Sequence, residues 1–151
     1  TFPNSWWNWI EILVVNEVEA YSLSGVKINQ INDSFACLKI LQQRCKNTVI
    51  TLGEKGVVYC TGSVVKFIAA NPVKTVSTLG AGDAFVGVMA AEICKGNDLG
   101  NSILLASLAA TATVTSSGAQ SSYIKPFQLK KHPVLGDIYI SALNPKTNSI
   151  S

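Results

Sequence analysis

Charged side chains are scarce in this chain of 151 residues. Asp, Glu, Lys and Arg make up 14% of it, whereas ordinary soluble domains contain about 25%. Hydrophobic residues reach 48%, so the chain can bury a large core but has little charged surface to cover it. The basic residues are scattered, the formal net charge is +3, and no basic stripe is present. We therefore expect no nucleic-acid partner.

Ligands for zinc are also few. The chain has one histidine, and its four cysteines form no C-x-x-C pair, so the sequence disfavours a zinc site. Reduced, mostly buried thiols are the expected state of these cysteines, as is usual in a cytosolic protein. We therefore expect a cytoplasmic location, with the nucleus as the alternative. The cysteines are Cys37, Cys45, Cys60 and Cys94.

Long hydrophobic runs are absent. The longest stretch of small apolar residues, 103–114, is shorter than the roughly 20 residues that span a bilayer. The first residues, T-F-P-N-S-W-W, lack the basic region and apolar run of a signal peptide. We therefore expect neither a membrane partner nor a secretory leader.

The apolar pattern predicts strands that alternate with helices. Strands are expected at residues 10–15, 48–52, 57–60 and 64–68, with turns at 53–56 and 61–62. Two helices are expected in the first half: one at 16–24, and one that is capped by Asp33 or Ser34 and runs to about 46. Two more are expected in the second half: one from the 80–82 turn to about 96, and one at 99–115 that Gly118 closes. This order predicts an α/β layered fold with flanking helices and a largely parallel sheet. We expect a single partial domain over 1–151, with 124–151 as a C-terminal tail.

The segment 77–85, S-T-L-G-A-G-D-A-F, is the most informative part of the chain. It places Gly80, Ala81 and Gly82 in a turn that opens a helix, where backbone N–H groups lack intrahelical acceptors and can bind an anion. Asp83 would repel an anion, so a proton acceptor explains it better than a binding group does. A phosphate cradle with a base suits phosphoryl transfer to an alcohol. A simple helix-capping turn is the alternative.

Four segments in order carry a family resemblance: N-E-V-E-A at 16–20, V-I-T-L-G-E-K-G at 49–56, the 77–85 segment, and V-T-S-S-G-A-Q-S-S at 114–122. Over about residues 10–123 the chain resembles the C-terminal, nucleotide-binding half of the ribokinase-like (PfkB) carbohydrate kinases. The glycine motif that binds the sugar and the β-sheet lid, both from the family's N-terminal half, are not found in this sequence. The resemblance therefore implies a ribokinase-like sheet without a lid.

The resemblance implies roles for individual residues. Asp83 would be the catalytic base that takes the proton from the sugar hydroxyl, and so the residue that touches the acceptor substrate. Gly80, Ala81 and Gly82 would form the anion hole for the transferred phosphoryl group. The implied ATP-binding residues are Asn16, Thr51, Gly53, Gly80, Ala81, Gly82, Asp83 and Ser107.

Two metal sites are implied as well. Asn16 and Glu19 match the family's N-x-x-E motif, which organises Mg²⁺ through water; a helix cap with a solvated Glu is the alternative reading. A monovalent cation, K⁺ in relatives, would lie near Ser77, Thr113, Ser116, Gly118 and Ser122. Ser77 and Leu79 replace the family's usual Asp and Thr, which removes a charge and a hydroxyl from that cage.

The implied activity is ATP-dependent phosphorylation of a sugar, with ribose as the expected acceptor and ATP and ADP as the nucleotides. A non-catalytic nucleotide-binding module, and an adenosine- or fructose-type kinase of the same superfamily, are the alternatives. Trp6, Trp7 and Trp9 lie at the front of the chain. They either pack on the sheet edge or mark an uncovered face that favours a homodimer or other association.

Overall fold

A computed structural model describes residues 3–115 of the chain. A short 3₁₀ helix, Asn4–Trp9, comes first, and another 3₁₀ turn is formed by Gly53–Lys55. The strands are β1 (Leu13–Asn16), β2 (Asn47–Thr51), β3 (Gly56–Thr61) and β4 (Val64–Ala69), and the helices are α1 (Glu17–Ser24), α2 (Ile31–Leu41), α3 (Ala81–Cys94) and α4 (Leu99–Val114).

The strands form one sheet in the order β1-β2-β3-β4. β1 and β2 are parallel, with Asn16 opposite Thr51, whereas β2–β3 and β3–β4 are antiparallel. The expected α/β layering is confirmed, but the expected largely parallel sheet is wrong. Parallel neighbours need a crossover of a dozen or more residues, and the turns at Gly53–Lys55 and Gly62 are too short for one.

Helices α1 and α2 pack on the sheet within the first of two compact units, which ends at Ala70. Trp7 of the first 3₁₀ helix is buried with this core, and the guanidinium of Arg44 lies 5.3 Å from its ring centroid. Trp6 and Trp9 are exposed, Trp9 by 88%. Trp7 therefore packs into the core, and the association expected of an uncovered face stays a prediction for Trp6 and Trp9. The core comprises Trp7, Leu13, Val15, Ala20, Ile28, Cys37, Leu38, Leu41, Cys45, Ile50, Leu52, Val58 and Cys60.

The ends of α2 differ from the expected ones. The helix begins at Ile31, and Asp33 caps it from inside the first turn by accepting from the Asn29 and Gln30 amides at 2.9 and 3.0 Å. These two bonds, of which the one from the Gln30 amide has the larger effect, hold the pKa of the Asp33 carboxyl below its ordinary value. The helix ends at Leu41 rather than near residue 46, because the next amides turn back to closer carbonyls.

The second unit begins at Asn71 and contains α3 and α4, which pack against each other. Their shared core is Leu105, Leu108, Ala109 and Ala112, with Val88 and Leu104 at its edge. Within residues 3–115, no helix combines the length and apolarity that a membrane crossing requires. The expected helix end at Gly118 and the expected tail at 124–151 lie outside the described residues, and the single domain stays a prediction.

Candidate functional site

The turn that opens α3 has the conformation that the glycines predict. Gly80 is the N-cap, with φ +81°, in the left-handed region that L residues with a side chain rarely adopt. The Gly80 carbonyl accepts the first bond of the helix from Ala84, at 2.9 Å. Ala81, Gly82 and Asp83 therefore occupy the first turn of α3, as expected.

The amides of this first turn are not equivalent. The Ala81 N–H donates to the Thr78 carbonyl over a long 3.3 Å. The Gly82 and Asp83 amides have no acceptor among the described residues. A Cβ added to Gly82 would meet nothing within 4 Å, so the space beside the α-carbon of this residue is open. An anion can thus bind at two free donors and the positive end of a 14-residue helix.

The loop before the turn is fixed by α4. The amides of Val76 and Ser77 both donate to the carbonyl of Val114, the last residue of α4, at 2.7 and 3.2 Å. The Ser77 hydroxyl in turn accepts from the Leu79 amide at 3.2 Å. The sequence analysis missed this link, because a contact between main-chain groups 38 residues apart leaves no sequence pattern.

Asp83 lies exposed in the first turn of α3. Its carboxylate makes no hydrogen bond or ion pair with the described residues. A carboxylate with free lone pairs beside open amides can accept a proton from a hydroxyl that approaches a bound phosphate.

Asn16 and Glu19 form a complete capping box at the start of α1. The Glu19 amide donates to Asn16 Oδ1, and the Asn16 amide donates to Glu19 Oε2, both at 2.9 Å. The alternative of a helix cap is therefore present in the structure. Glu19 still carries a second carboxylate oxygen, and its side chain is exposed. This suits Mg²⁺ held through its own water shell, the mode that Mg²⁺ prefers.

Thr51 and Gly53 lie beside that cap at the carboxyl ends of the two parallel strands. Thr51 is the register partner of Asn16, and its hydroxyl donates to the Val15 carbonyl at 3.4 Å. Gly53 has φ +56° and opens the 3₁₀ turn. The structure therefore brings Asn16, Thr51 and Gly53 to one sheet edge, the usual ligand-binding edge of α/β sheets.

An ion pair at the same edge was missed by the sequence analysis. Lys55 Nζ lies 3.2 Å from Glu17 Oε1, so it joins the first residue of α1 to the turn after β2. The signal was available, because charged residues directly after adjacent parallel strands meet at one edge. The sequence analysis gives the G-E-K-G segment as a turn and as part of the family resemblance, but assigns no partner to Lys55.

The remaining predicted residues lie on α4 or beyond it. The Ser107 hydroxyl oxygen is buried and has no partner among the described residues, so its adenine-side role stays a prediction. Thr113 Oγ1 donates to the Ala109 carbonyl at 2.9 Å, and its side chain is buried. Ser116, Gly118 and Ser122 lie outside the described residues. The Ser77 hydroxyl accepts from the Leu79 amide, and the carbonyls near Thr113 that the family resemblance implies as cation ligands stay a prediction.

Other candidate chemistry is limited in the described part of the chain. No three His, Cys, Asp or Glu side chains between residues 3 and 115 gather where a metal ion could bind. The four cysteines are free, and three are buried while Cys94 is exposed. Burial raises the pKa of the Cys37 and Cys60 thiols, which lowers their reactivity.

Comparison with known proteins matches this geometry to one family. The model of the pfkB family carbohydrate kinases matches residues 4–126. A ribokinase of Staphylococcus aureus is 34% identical over 122 residues, which are 80% of this chain and 40% of that protein. A deoxyribokinase of Salmonella typhi is 33% identical over 114 residues, 75% of this chain and 37% of that protein.

Solved structures have the same fold. A ribokinase of Thermotoga maritima superimposes with a TM-score of 0.71 at 26% identity, over 93% of this chain and 44% of that one. An Arabidopsis thaliana ribokinase complexed with ribose and ATP gives 0.75 at 23% identity, over 94% of this chain and 43% of that one. The chain thus spans about two fifths of the length of the curated relatives it matches.

Proposed function

The chain belongs to the pfkB family of carbohydrate kinases, and we propose that it carries the nucleotide-binding part and the catalytic base of an ATP-dependent sugar kinase. The observation that carries the proposal is the opening turn of α3. Two amides without described acceptors and a carboxylate without a described partner occur there within two consecutive residues, Gly82 and Asp83. Phosphoryl transfer to an alcohol requires these two kinds of group together.

In this proposal the open amides bind oxygens of the phosphoryl group that is transferred. The amides are held in place before the reaction, because Gly80 sets the turn and the Val114 carbonyl fixes the preceding loop. Donors of this kind stabilise developing charge without reorganising, and this is usually the largest catalytic contribution. Ala81 contributes after its weak bond to Thr78 is exchanged for the ligand.

Asp83 accepts the proton of the sugar hydroxyl as that oxygen bonds to the γ-phosphorus of ATP, while the bond from this phosphorus to the bridging oxygen breaks and ADP leaves with that oxygen. The carboxylate is exposed and makes no described bond that must first break. A repulsive carboxylate at an anion site is costly for binding alone, which supports a chemical role for it. Positioning of the hydroxyl then supplies most of the rate enhancement.

Asn16 and Glu19 would hold Mg²⁺ through water, with the free oxygen of Glu19 as the main contact; when bound, the ion neutralises phosphate charge. The capping box fixes the Glu19 side chain beside the start of α1, and Thr51 and Gly53 present the next turn at the same edge. We assign these residues to the ATP phosphates and leave K⁺ out of the mechanism, because Ser116, Gly118 and Ser122 of its implied cage lie outside the described residues.

For the acceptor we propose ribose, since the relatives include ribokinases. A deoxyribokinase is nearly as similar, and a fructokinase and an adenosine kinase are also among the similar proteins, so an adenosine- or fructose-type acceptor stays the alternative. The choice among sugars can be tested by supplying the N-terminal half of one relative and comparing ribose, deoxyribose, fructose and adenosine as acceptors. The proposed location is the cytoplasm.

Calorimetric titration of the folded chain with Mg-ADP tests the proposal. Binding is expected at one site per chain, and it should be lost when Mg²⁺ is removed with a chelator if Glu19 acts through the ion. A titration with ribose alone serves as the control. A sample whose circular dichroism shows a folded α/β protein, but which binds no Mg-ADP, contradicts the proposal.

A non-catalytic nucleotide-binding module is the second candidate. Both candidates predict binding of Mg-ADP. The two candidates give different results when the N-terminal half of a relative is supplied, because only the kinase then phosphorylates a sugar.

A further inference from the structure

The Glu17–Lys55 ion pair has no role in the mechanism above, although it lies among the nucleotide-binding residues. Glu17 follows Asn16 directly, and Lys55 lies two residues after Gly53. The pair joins residues 38 positions apart in sequence. Lys55 thus brings a positive charge to the sheet edge where the phosphates are proposed to bind.

The backbone of Lys55 is fixed independently of this ion pair. Its amide donates to the Leu52 carbonyl at 3.1 Å, and its carbonyl accepts from the Ala70 amide at 3.4 Å. Gly56, the next residue, has φ +120°, and a Cβ there would lie 2.1 Å from the Ile68 carbonyl oxygen. The turn therefore keeps its shape whether or not the ammonium contacts Glu17.

The ammonium itself is free to move. The side chains of Lys55 and Glu17 are 38% and 36% exposed, and ion pairs with such exposure contribute little to stability. Lys55 also lines an open cavity of about 440 Å³, so there is room for another position of its flexible stem. Breaking the pair therefore costs little.

Without the lysine this edge would repel a nucleotide. Glu17 and Glu19 lie in the first turn of α1, and Glu54 lies in the turn beside Lys55. Three carboxylates near a polyphosphate raise the cost of binding unless cations compensate them. In the free protein Lys55 neutralises Glu17, and a phosphate is a stronger partner for an ammonium because it has more charge.

We propose that Lys55 is a phosphate-binding residue of the nucleotide site, whose ammonium leaves Glu17 for a phosphate oxygen of the nucleotide when it binds. This inference rests on the proposed function of the same site. Glu17 acts as the competing partner in the free protein. Glu17 thereby lowers the affinity for the nucleotide slightly and holds the Lys55 ammonium near the site in the free protein.

Calorimetric titration with Mg-ADP of the 151-residue chain and four variants tests this. Lys55→Gln should weaken binding by about tenfold, the loss of one charge-assisted hydrogen bond. Lys55→Arg should stay within about threefold of the wild type, because the charge is kept. Glu17→Gln should bind as tightly as the wild type or slightly tighter, because it removes the competitor. Lys39→Gln, an exposed lysine of α2, is the matched control and should change nothing.

Each other result overturns the inference. Binding by Lys55→Gln at wild-type strength shows that the ammonium does not reach the phosphates. Equal weakening by Lys55→Gln and Glu17→Gln shows a structural brace rather than a phosphate contact. If Lys55→Gln loses its fold by circular dichroism, Glu17→Gln decides alone: equal or tighter binding supports the inference, and weaker binding refutes it. Failure of the folded wild type to bind Mg-ADP refutes the proposed function and this inference together.

Discussion

The substitution Gly82→Ala, at the opening turn of α3, is expected to weaken ligand binding without lowering the stability of the protein. The added Cβ meets no atom within 4 Å in the free protein, and Gly82 is already in helical conformation at the second position of α3. The substitution therefore introduces no clash and no backbone strain. It does add a methyl group next to the amide that is proposed to bind phosphate.

The substitution is expected to raise or preserve stability but to lower the affinity for phosphate. Alanine is the better helix residue, so the free energy of unfolding should rise or stay level, by at most about 0.5–1 kcal/mol. A phosphate that approaches the amide closely must move away from the new methyl group. Overpacking of that kind costs about 1–3 kcal/mol, which corresponds to a Kd about 5- to 150-fold higher.

Two further glycines provide the controls. Gly87 also lies in α3, is exposed, and has open space around its Cβ direction, so Gly87→Ala should gain the same stability with no change in Kd. Gly80 has φ +81°, so Gly80→Ala should lose roughly 1–2 kcal/mol of stability through backbone strain. Urea denaturation and calorimetry with Mg-ADP measure both quantities for each variant.

The reasoning is refuted if Gly82→Ala binds Mg-ADP as tightly as the wild type and Gly87→Ala. Phosphate would then not approach the amide of Gly82, and the turn would be a helix cap only. A loss of stability in Gly82→Ala would also contradict the structure, because the space around the Cβ would then not be open.

Three other predictions concern the capping groups and the activity of the chain. Asn16→Ala removes the acceptor of the capping box and should lower the free energy of unfolding by about 1 kcal/mol in urea denaturation; an unchanged midpoint would contradict this. Because backbone bonds hold the pKa of Asp33 low in the folded state, its contribution is present above about pH 4 and is lost as the pH falls through the lowered value; Asp33→Asn should therefore be less stable than the wild type at pH 7, with the difference vanishing in acid. A coupled ADP-release assay with ribose should show no turnover by this chain alone, since the residues that orient the sugar are not in it; turnover in the ordinary range of about 1–10³ per second would contradict this.

Local signals in the sequence were reliable where one residue type determines the conformation. Gly25 ends α1 with φ +74°, and Gly80 opens α3, both as expected. Short turns with Gly53 and Gly62 separate β2, β3 and β4 at nearly the expected positions. These features depend on backbone conformations that only glycine adopts readily.

Features that depend on tertiary contacts were not predictable in this way. The start of α2 was misplaced because Asp33 caps the helix from its first turn rather than from the N-cap position. Strand direction cannot be derived from the apolar runs, which look the same in parallel and antiparallel sheets, although the short turns before β3 and β4 do indicate antiparallel pairing. The sequence indicated Asp83 and its glycines, but not the Val114 carbonyl that fixes their loop or the Lys55 ammonium beside Glu17.

The role of Asp83 as catalytic base is the central claim, and one kinetic measurement tests it most directly. The N-terminal half of the Staphylococcus aureus ribokinase, fused to this chain or added as a separate chain, should restore phosphorylation of ribose. In that assembly Asp83→Asn should lower kcat by about 10²–10⁴-fold while the affinity for Mg-ADP stays the same or rises slightly, because the amide keeps the shape and loses the negative charge. Full turnover by the Asp83→Asn protein would show that Asp83 is not the base, and loss of Mg-ADP binding with an intact fold would assign it to binding instead.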